Sequence, residues 1–528
     1  MTVTWTTDAV LERAAALGRD RVAVVLGDDD SHLTYGALDE GATRLANALH
    51  DHGVGQGDRV AVFMENNLDY IVTYHGVGRS QAIFVPIVTQ SKLPEIEYFL
   101  SHSEPCVLIV DAERWDVVAA AIADGNPAFA SLREIWLAGA GARTGLTRMA
   151  SVMAAASDAR PRLRPQAQDP VAFMYTSGST GRPKAVIHSH YTAVAQAEAV
   201  CSRMAYSAED RLLTVFPLFH GNALVWSALA AVWAGARVII HRRFSASGFW
   251  ASVRRHGATE VNLLLGAINM LLAQAPRADD ADNPIRLVLA NVTEPIYREF
   301  RARFAVDIVS TWALAEGPLG TMTAPGHGYR AGEIGWPMGS DNEVRVVDEN
   351  DQALADGEVG ELVQRNRAMM LGYFKNEAET ARVLRGGWVH SGDLGYRDEA
   401  GLFYFVGRRK NVIRRAGENV SGEEVEECLQ THPAVEEAAV IAVPDAMRGE
   451  EVKAHIVVRA GHTLTAEEAV AWCATRLSDF KLPRYVEFMR ALPRTGPLKI
   501  DRTALAARPD LTACWDRADL ARRADGCR

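Results

Sequence analysis

Ten residues, Tyr175-Thr-Ser-Gly-Ser-Thr-Gly-Arg-Pro-Lys184, gather four aliphatic hydroxyls, two glycines and a lysine. These are the parts of a phosphate cradle. Gly178 and Gly181 let backbone N–H groups turn toward a common centre. Thr176, Ser177, Ser179 and Thr180 add hydroxyl donors, and Lys184 supplies a compact positive charge. Apolar runs precede the stretch (Val171-Ala-Phe-Met174) and follow it (Ala185-Val-Ile187), so it reads as a loop joining two strands. A Walker loop would run from its lysine straight into a helix. Here Pro183 precedes the lysine and a strand follows, so this is a phosphate loop of another kind. A flexible Ser/Gly linker would need neither the lysine nor the flanking strands.

The stretch resembles the nucleotide-phosphate loop of the adenylate-forming superfamily: AMP-binding acyl- and aryl-CoA ligases, adenylation domains and luciferases. Other segments match that family in order and approximate spacing. Thr311-Trp-Ala-Leu-Ala-Glu316 lies where the family has Tyr-Gly-x-Thr-Glu. The resemblance implies that Glu316 holds Mg²⁺ on the phosphates and that Trp312 flanks adenine and the acyl pocket. Ala313 and Ala315 replace the family's Gly and Thr, so one hydroxyl that reaches phosphate is missing. Trp388-Val-His-Ser-Gly-Asp393 matches the segment whose aspartate binds the ribose hydroxyls, and a carboxylate can accept from both. Arg408 matches a further nucleotide contact, and Lys410 matches the hinge about which the small domain turns.

Arg415-Ala-Gly-Glu-Asn-Val420 with Glu424-Val-Glu426 resembles the small-domain loop of the thioester step, with Gly422 where Pro is usual. Leu492-Pro-Arg-Thr-Gly-Pro-Leu-Lys499 matches the segment of the catalytic lysine. By that resemblance Lys499 bridges carboxylate and α-phosphate, although Leu498 replaces the usual Gly. Phe216-Pro-Leu-Phe-His220-Gly matches a Pro-Leu-x-His segment, which makes His220 the gate of the carboxylate pocket. Ala290-Asn-Val-Thr293 and Phe244-Ser-Ala-Ser-Gly-Phe-Trp250 are most similar to the carnitine/crotonobetaine-CoA ligase branch.

These residues need a scaffold, and the chain alternates helix and strand patterns to provide one. Leu33 to Leu49 has apolar positions at helical spacing (38, 42, 45, 46, 49). Arg59-Val-Ala-Val-Phe-Met64, Ala82-Ile-Phe-Val-Pro-Ile-Val88 and Cys106-Val-Leu-Ile-Val110 read as buried strands, with a helix ending near Arg79 between the first two. After the loop come strands at 211–216, 237–240, 260–265 and 287–290, while 139–169 reads as a surface connection. Such alternation predicts an α/β layered domain with mostly parallel sheets. Residues 357–363 and 401–406 read as antiparallel strands, followed by a unit large enough to fold alone. That unit has a helix at 422–430, strands at 438–443 and 452–458, and a helix at 465–477. The expected fold is a large N-terminal layered α/β domain with a small mobile C-terminal α+β domain. The expected division is a large ATP- and acid-binding domain over 1–406, a hinge over 407–410, a small domain with the catalytic lysine over 411–507, and a tail over 508–528.

Composition narrows the function classes. A chain of 528 residues with 48% hydrophobic and 23% charged residues has ample core for a globular protein. Its net charge of −10, without a long basic run, argues against a nucleic-acid partner. No apolar run long enough to span a membrane and no signal-peptide pattern is seen, so the expected location is cytoplasmic. Cysteines 106, 201, 428, 473, 514 and 527 are scattered and read as reduced thiols. The expected activity is an ATP- and Mg²⁺-dependent acid–CoA ligase that makes an acyl-AMP, releases pyrophosphate, and passes the acyl group to CoA. Two readings keep the adenylation and change its context: a diazotase that activates nitrite and delivers it to an aromatic amine, and an enzyme loading a carrier protein. A nucleotide binder without turnover would not need Lys184, Glu316, Asp393, Arg408 and Lys499 together.

Overall fold

The structure is a computed structural model. It describes residues 5–139, 141, 143–176, 183–408, 412–415, 418–445, 448–477, 479–495, 499–507 and 511–517; at 408, 412, 414, 418, 419, 449 and 499 it describes the backbone alone.

Three sheets make the large part of the molecule. One runs Gly372–Tyr373, Lys184–Ser189, Pro170–Thr176, Ile83–Pro86, Arg59–Phe63, Val107–Asp111, Glu134–Ala138, Thr147–Arg148. Its strands are parallel from Pro170–Thr176 onward, while Lys184–Ser189 returns antiparallel to Pro170–Thr176. The second runs Asp307–Val309, Leu287–Leu289, Glu260–Asn262, Arg211–Thr214, Arg237–Ile240, Val22–Leu26, His32–Thr34, parallel except for the last strand. Both hold strands such as Val-Leu-Ile-Val of 107–110 that are apolar at every position, because helices cover both faces. The third is antiparallel: Thr311–Trp312, Thr321–Met322, Glu333–Pro337, Phe403–Arg408, Val389–Arg397, Gly360–Arg365, Glu343–Val347. The two expected antiparallel strands are both in it, separated by the strand that carries Asp393.

Helices Thr7–Leu17, Tyr35–Asp51 and Leu68–Arg79 pack together and are pinned by a buried charge cluster. Arg79 is 1% exposed and bonds Asp8 at 2.5 Å and Asp39 at 2.8 Å. A guanidinium so enclosed persists only because carboxylates answer its charge and its N–H groups find acceptors.

The C-terminal part is a separate layer pair with its own apolar cluster, including Val425, Leu429, Val440, Val452, Ile456 and Cys473. Helices Gly422–Gln430 and Ala466–Ala474 cover strands Glu418–Ser421, Val412–Arg415, Gly449–Val458, Tyr485–Met489 and Trp515–Asp516, and Val435–Asp445 pairs with Gly449–Val458. No helix among the described residues is long and apolar enough to cross a membrane.

Three expectations need correction. The segment 139–169 is not a bare connection: it supplies edge strand Thr147–Arg148 and helix Met149–Ala155, and Arg160 and Arg164 reach the Asp8/Asp39 cluster. The apolar run at 260–265 is strand only over Glu260–Asn262 and then enters helix Leu265–Leu272, a choice that apolarity alone cannot make. Trp515–Asp516, expected within a tail, adds a strand beside Tyr485–Met489, and Arg484 bonds Asp516 at 3.2 Å.

Candidate active site

A cavity of about 1070 Å³ opens where the three sheets meet. Its wall includes Met174, Tyr175 and Thr176 at the carboxyl end of strand Pro170–Thr176, and 291–293 just beyond Leu287–Leu289. Crevices at the carboxyl ends of parallel strands are the usual ligand sites of such sheets. The antiparallel sheet closes the other side with Trp312, Glu333, Asp393, Tyr396 and Phe405.

At one end two buried side chains meet. The Trp312 indole Nε1 donates to Asp393 Oδ2 at 2.8 Å, with the two residues 7% and 2% exposed. The local chain is built for this contact. Gly320 approaches so near that a Cβ there would lie 1.8 Å from the Trp312 carbonyl oxygen. Beside Asp393, Gly392 has φ +70°, and its N–H donates to Glu361 Oε1 at 2.8 Å. The Asp393 N–H donates to Ser391 Oγ at 2.9 Å.

Next to this end is a charged relay. Thr176 and Lys184 are register partners, so they close the phosphate loop as a hairpin. The Lys184 ammonium bonds Glu379 Oε1 at 2.5 Å and lies 4.9 Å from the centroid of the Tyr373 ring. The Tyr373 hydroxyl donates to Glu316 Oε1 at 2.6 Å. Arg382 grips Glu379 from the other side, with Nε 2.7 Å from Oε2 and Nη2 2.8 Å from Oε1. The Arg382 and Lys184 bonds hold the Glu379 carboxyl down to about 2.

Among the described residues, the stretch 219–226 lines the cavity with Phe219, His220, Gly221, Asn222 and Trp226, none of them a carboxylate, lysine or arginine. His220 presents its ring to the cavity with the Phe219 ring tilted against it, 4.4 Å away centroid to centroid. The surrounding protein desolvates it and lowers its pKa, which keeps the imidazole neutral. Asn222 and Trp226 come from a wide π-helical stretch, Asn222–Leu229, a distortion frequent at functional sites. Trp226 Nε1 donates to Gln196 Oε1 at 3.3 Å, and His188 Nε2 meets the Ala315 carbonyl at 2.7 Å. From the small domain, Glu423, Glu424, Glu427 and Lys481 reach the rim, with Lys481 bonded to Glu424 at 2.7 Å.

Of the expected site residues, Thr176, His220, Trp312 and Asp393 line this one cavity. Lys184 and Glu316 lie behind its wall, joined through Tyr373. Ser177, Gly178, Ser179, Thr180, Gly181 and hinge residue Lys410 lie outside the described residues, as do the side chains of Arg408 and Lys499. The Lys499 backbone forms a short hairpin, Arg494–Thr495 with Lys499–Ile500. Sequence reading missed Tyr373, Glu379 and Trp226. Glu379 sits in an ordinary acidic helix start, Asn376-Glu-Ala-Glu379, whose charge is explained by the helix dipole before any ligand is invoked. Trp226 lies in an apolar run with no motif of its own.

The AMP-binding enzyme model matches residues 11–374 and the AMP-binding enzyme C-terminal domain model matches 424–499. A crotonobetaine/carnitine–CoA ligase of Salmonella arizonae is 32% identical over 501 residues, covering 92% of this chain and 96% of that one. ATP-bound MatB from Rhodopseudomonas palustris superposes with a TM-score of 0.86 at 25% identity, over 96% of this chain and 99% of that chain. A Mycobacterium tuberculosis fatty acyl CoA synthetase gives 0.76 at 27% identity, over 96% and 98%.

Proposed function

This chain belongs to the AMP-binding enzyme family, and from that premise we propose that its cavity binds nucleotide at the Trp312–Asp393 end and acid at the His220 end. The protein is an ATP-dependent acid–CoA ligase. It activates an acid as its adenylate with release of pyrophosphate and transfers the acyl group to CoA. The observation that carries the assignment of ends is the buried Asp393 carboxylate, oriented by Trp312 and facing the cavity. Such a carboxylate suits the vicinal hydroxyls of a ribose.

The reaction needs charge neutralisation and alignment more than covalent help. Lys184 supplies positive charge to the phosphates. Glu316 offers a hard oxygen donor already oriented by Tyr373, which fits Mg²⁺, and the ion would draw charge from the phosphates. His220, neutral and desolvated, shapes the approach of the carboxylate, and Lys499 bridges that carboxylate and the α-phosphate.

The small domain must turn between half-reactions. Arg502, just beyond Lys499, bonds both oxygens of Glu426 at 2.8 and 2.7 Å. Glu426 lies on a different face of helix Gly422–Gln430 from the cavity-facing Glu423, Glu424 and Glu427. That packing supports a rotation about Lys410 to carry the Lys499 hairpin inward.

The test is release of pyrophosphate and AMP from ATP across a panel of acids, nitrite included, each with and without CoA. Release that requires a carboxylic acid and ends in a thioester bears the proposal out. Release with nitrite and an aromatic amine, indifferent to CoA, would make this a diazotase, and transfer only to a carrier protein would make it a loading enzyme.

A further inference from the structure

The Lys184–Glu379 pair has an implication for how nucleotide enters and leaves. We propose that Glu379 is an internal counter-anion for Lys184: it holds the lysine while the site is free of nucleotide, yields it to the triphosphate, and takes it back as pyrophosphate departs. This rests on the reading of Lys184 as a phosphate ligand.

The two groups meet at 2.5 Å with side chains 16% and 18% exposed, so the pair is largely shielded from water. Lys184 is clamped between that carboxylate and the Tyr373 ring at 4.9 Å. A triphosphate reaching for the ammonium must displace a carboxylate already in place.

The surroundings make the exchange possible. A carboxylate stripped of its partner in a shielded site would be costly. Glu379 keeps one, because Arg382 holds both of its oxygens at 2.7 and 2.8 Å through a planar, charge-assisted fork. The backbones on either side are fixed. Lys184 is the register partner of Thr176, and the Glu379 N–H donates to the Asn376 side chain at 3.1 Å at the start of helix Glu377–Val383. The lysine can therefore change partner by rotating its own side chain. The Tyr373 hydroxyl joins the same ring to Glu316, so the lysine's return and the loss of the phosphates act on one contiguous set of groups.

The consequence is kinetic as well as energetic. A lysine with no internal partner would hold pyrophosphate after the adenylate has formed; Glu379 competes for it at that moment. Glu379 is thus a positioning residue with an effect on phosphate affinity opposite to that of a ligand.

The experiment is equilibrium binding of ATP and of pyrophosphate, each with Mg²⁺, to the full-length protein and to E379Q, E379D, K184A and the K184A/E379Q pair. Thermal unfolding of each variant reports folding separately. E379Q keeps the shape and removes the charge. It is expected to bind both ligands about three- to tenfold more tightly, the scale of a partly shielded ion pair. Pyrophosphate should inhibit E379Q at correspondingly lower concentration, E379D should return toward wild type, and E379Q should change nothing once Lys184 is removed. Weaker or unchanged pyrophosphate binding by folded E379Q overturns the assignment while leaving the ligase reading intact. Wild-type protein that binds neither ATP nor pyrophosphate overturns the ligase reading and this assignment together.

Discussion

The two ends of the cavity are built on different principles. At the nucleotide end every described charged group already has a protein partner: Asp393 has Trp312, Lys184 has Glu379, and Glu316 has Tyr373. At the proposed acid end the described wall is neutral: His220, Phe219, Asn222, Trp226 and Gln196. The difference suits the ligands proposed for the two ends. Phosphates and ribose demand charge, and charge in a shielded site must be held in place before the ligand arrives. An acid is selected by shape, and shape is supplied by aromatic and amide side chains that lose little by waiting.

The comparison can be broken or sharpened by separate losses at the two ends. The largest expected effect belongs to the group brought in from outside the cavity. K499A should slow adenylate formation about 10²- to 10³-fold, the scale of losing a charge-stabilising donor. It should spare thioester formation from supplied acyl-adenylate, and equal losses in the two half-reactions measured separately would remove Lys499 from its assigned step. D393N should lower kcat/KM for ATP about 10- to 100-fold, as expected for a charged hydrogen bond, and leave KM for the acid unchanged. A matching rise in acid KM would mean that the ends are not separate. W226A is the converse: KM for the acid should rise about tenfold with ATP binding intact, read from initial rates over both concentrations. W312F, which removes the Nε1 donor to Asp393 together with part of the aromatic surface, should weaken ATP by about three- to tenfold.

The smallest effect concerns pH. Desolvation by its surroundings lowers the His220 pKa below its usual value near 6.5, so the ring is mostly neutral at neutral pH and gains its proton at lower pH than a free imidazole. KM for the acid should then vary by less than about twofold between about pH 7 and 8. A steep improvement on acidification over that range would show that the acid end acquires a cation, and the contrast between the ends would fail.

Much of the scaffold was legible because its signals are local. Strand Arg237–Ile240 and helix Gly422–Gln430 appear at the expected bounds, since each is a short pattern closed by turn or cap residues: Gly235 before the strand, Ser421 before the helix. The helix at 149–155 was missed because it is only two turns long, its stripe of Met149, Val152 and Met153 is set among alanines, and only Met149 is fully buried. The strand at 515–516 was missed because nothing near it in sequence reveals Tyr485–Met489 as its partner. In the site, motif residues such as Thr176, His220, Trp312 and Asp393 could be named in advance. Glu379 could not, since a helix-start glutamate looks the same whether or not a lysine from residue 184 lies beside it.

The sequence by itself determined the broad alternation of helices and strands, the Gly/Ser/Thr-rich loop between two strands, and the family to which the chain belongs, because each is written in contiguous residues of characteristic type and spacing. Only the tertiary structure decided which groups share a cavity and which charges are spent on one another. Trp312 and Asp393 are far apart in the chain and 2.8 Å apart in space, and Lys184 and Glu379 are joined at 2.5 Å across two separate elements. Pairing of that kind depends on distance and shielding from water, and both come into being only when the sheets close around the site.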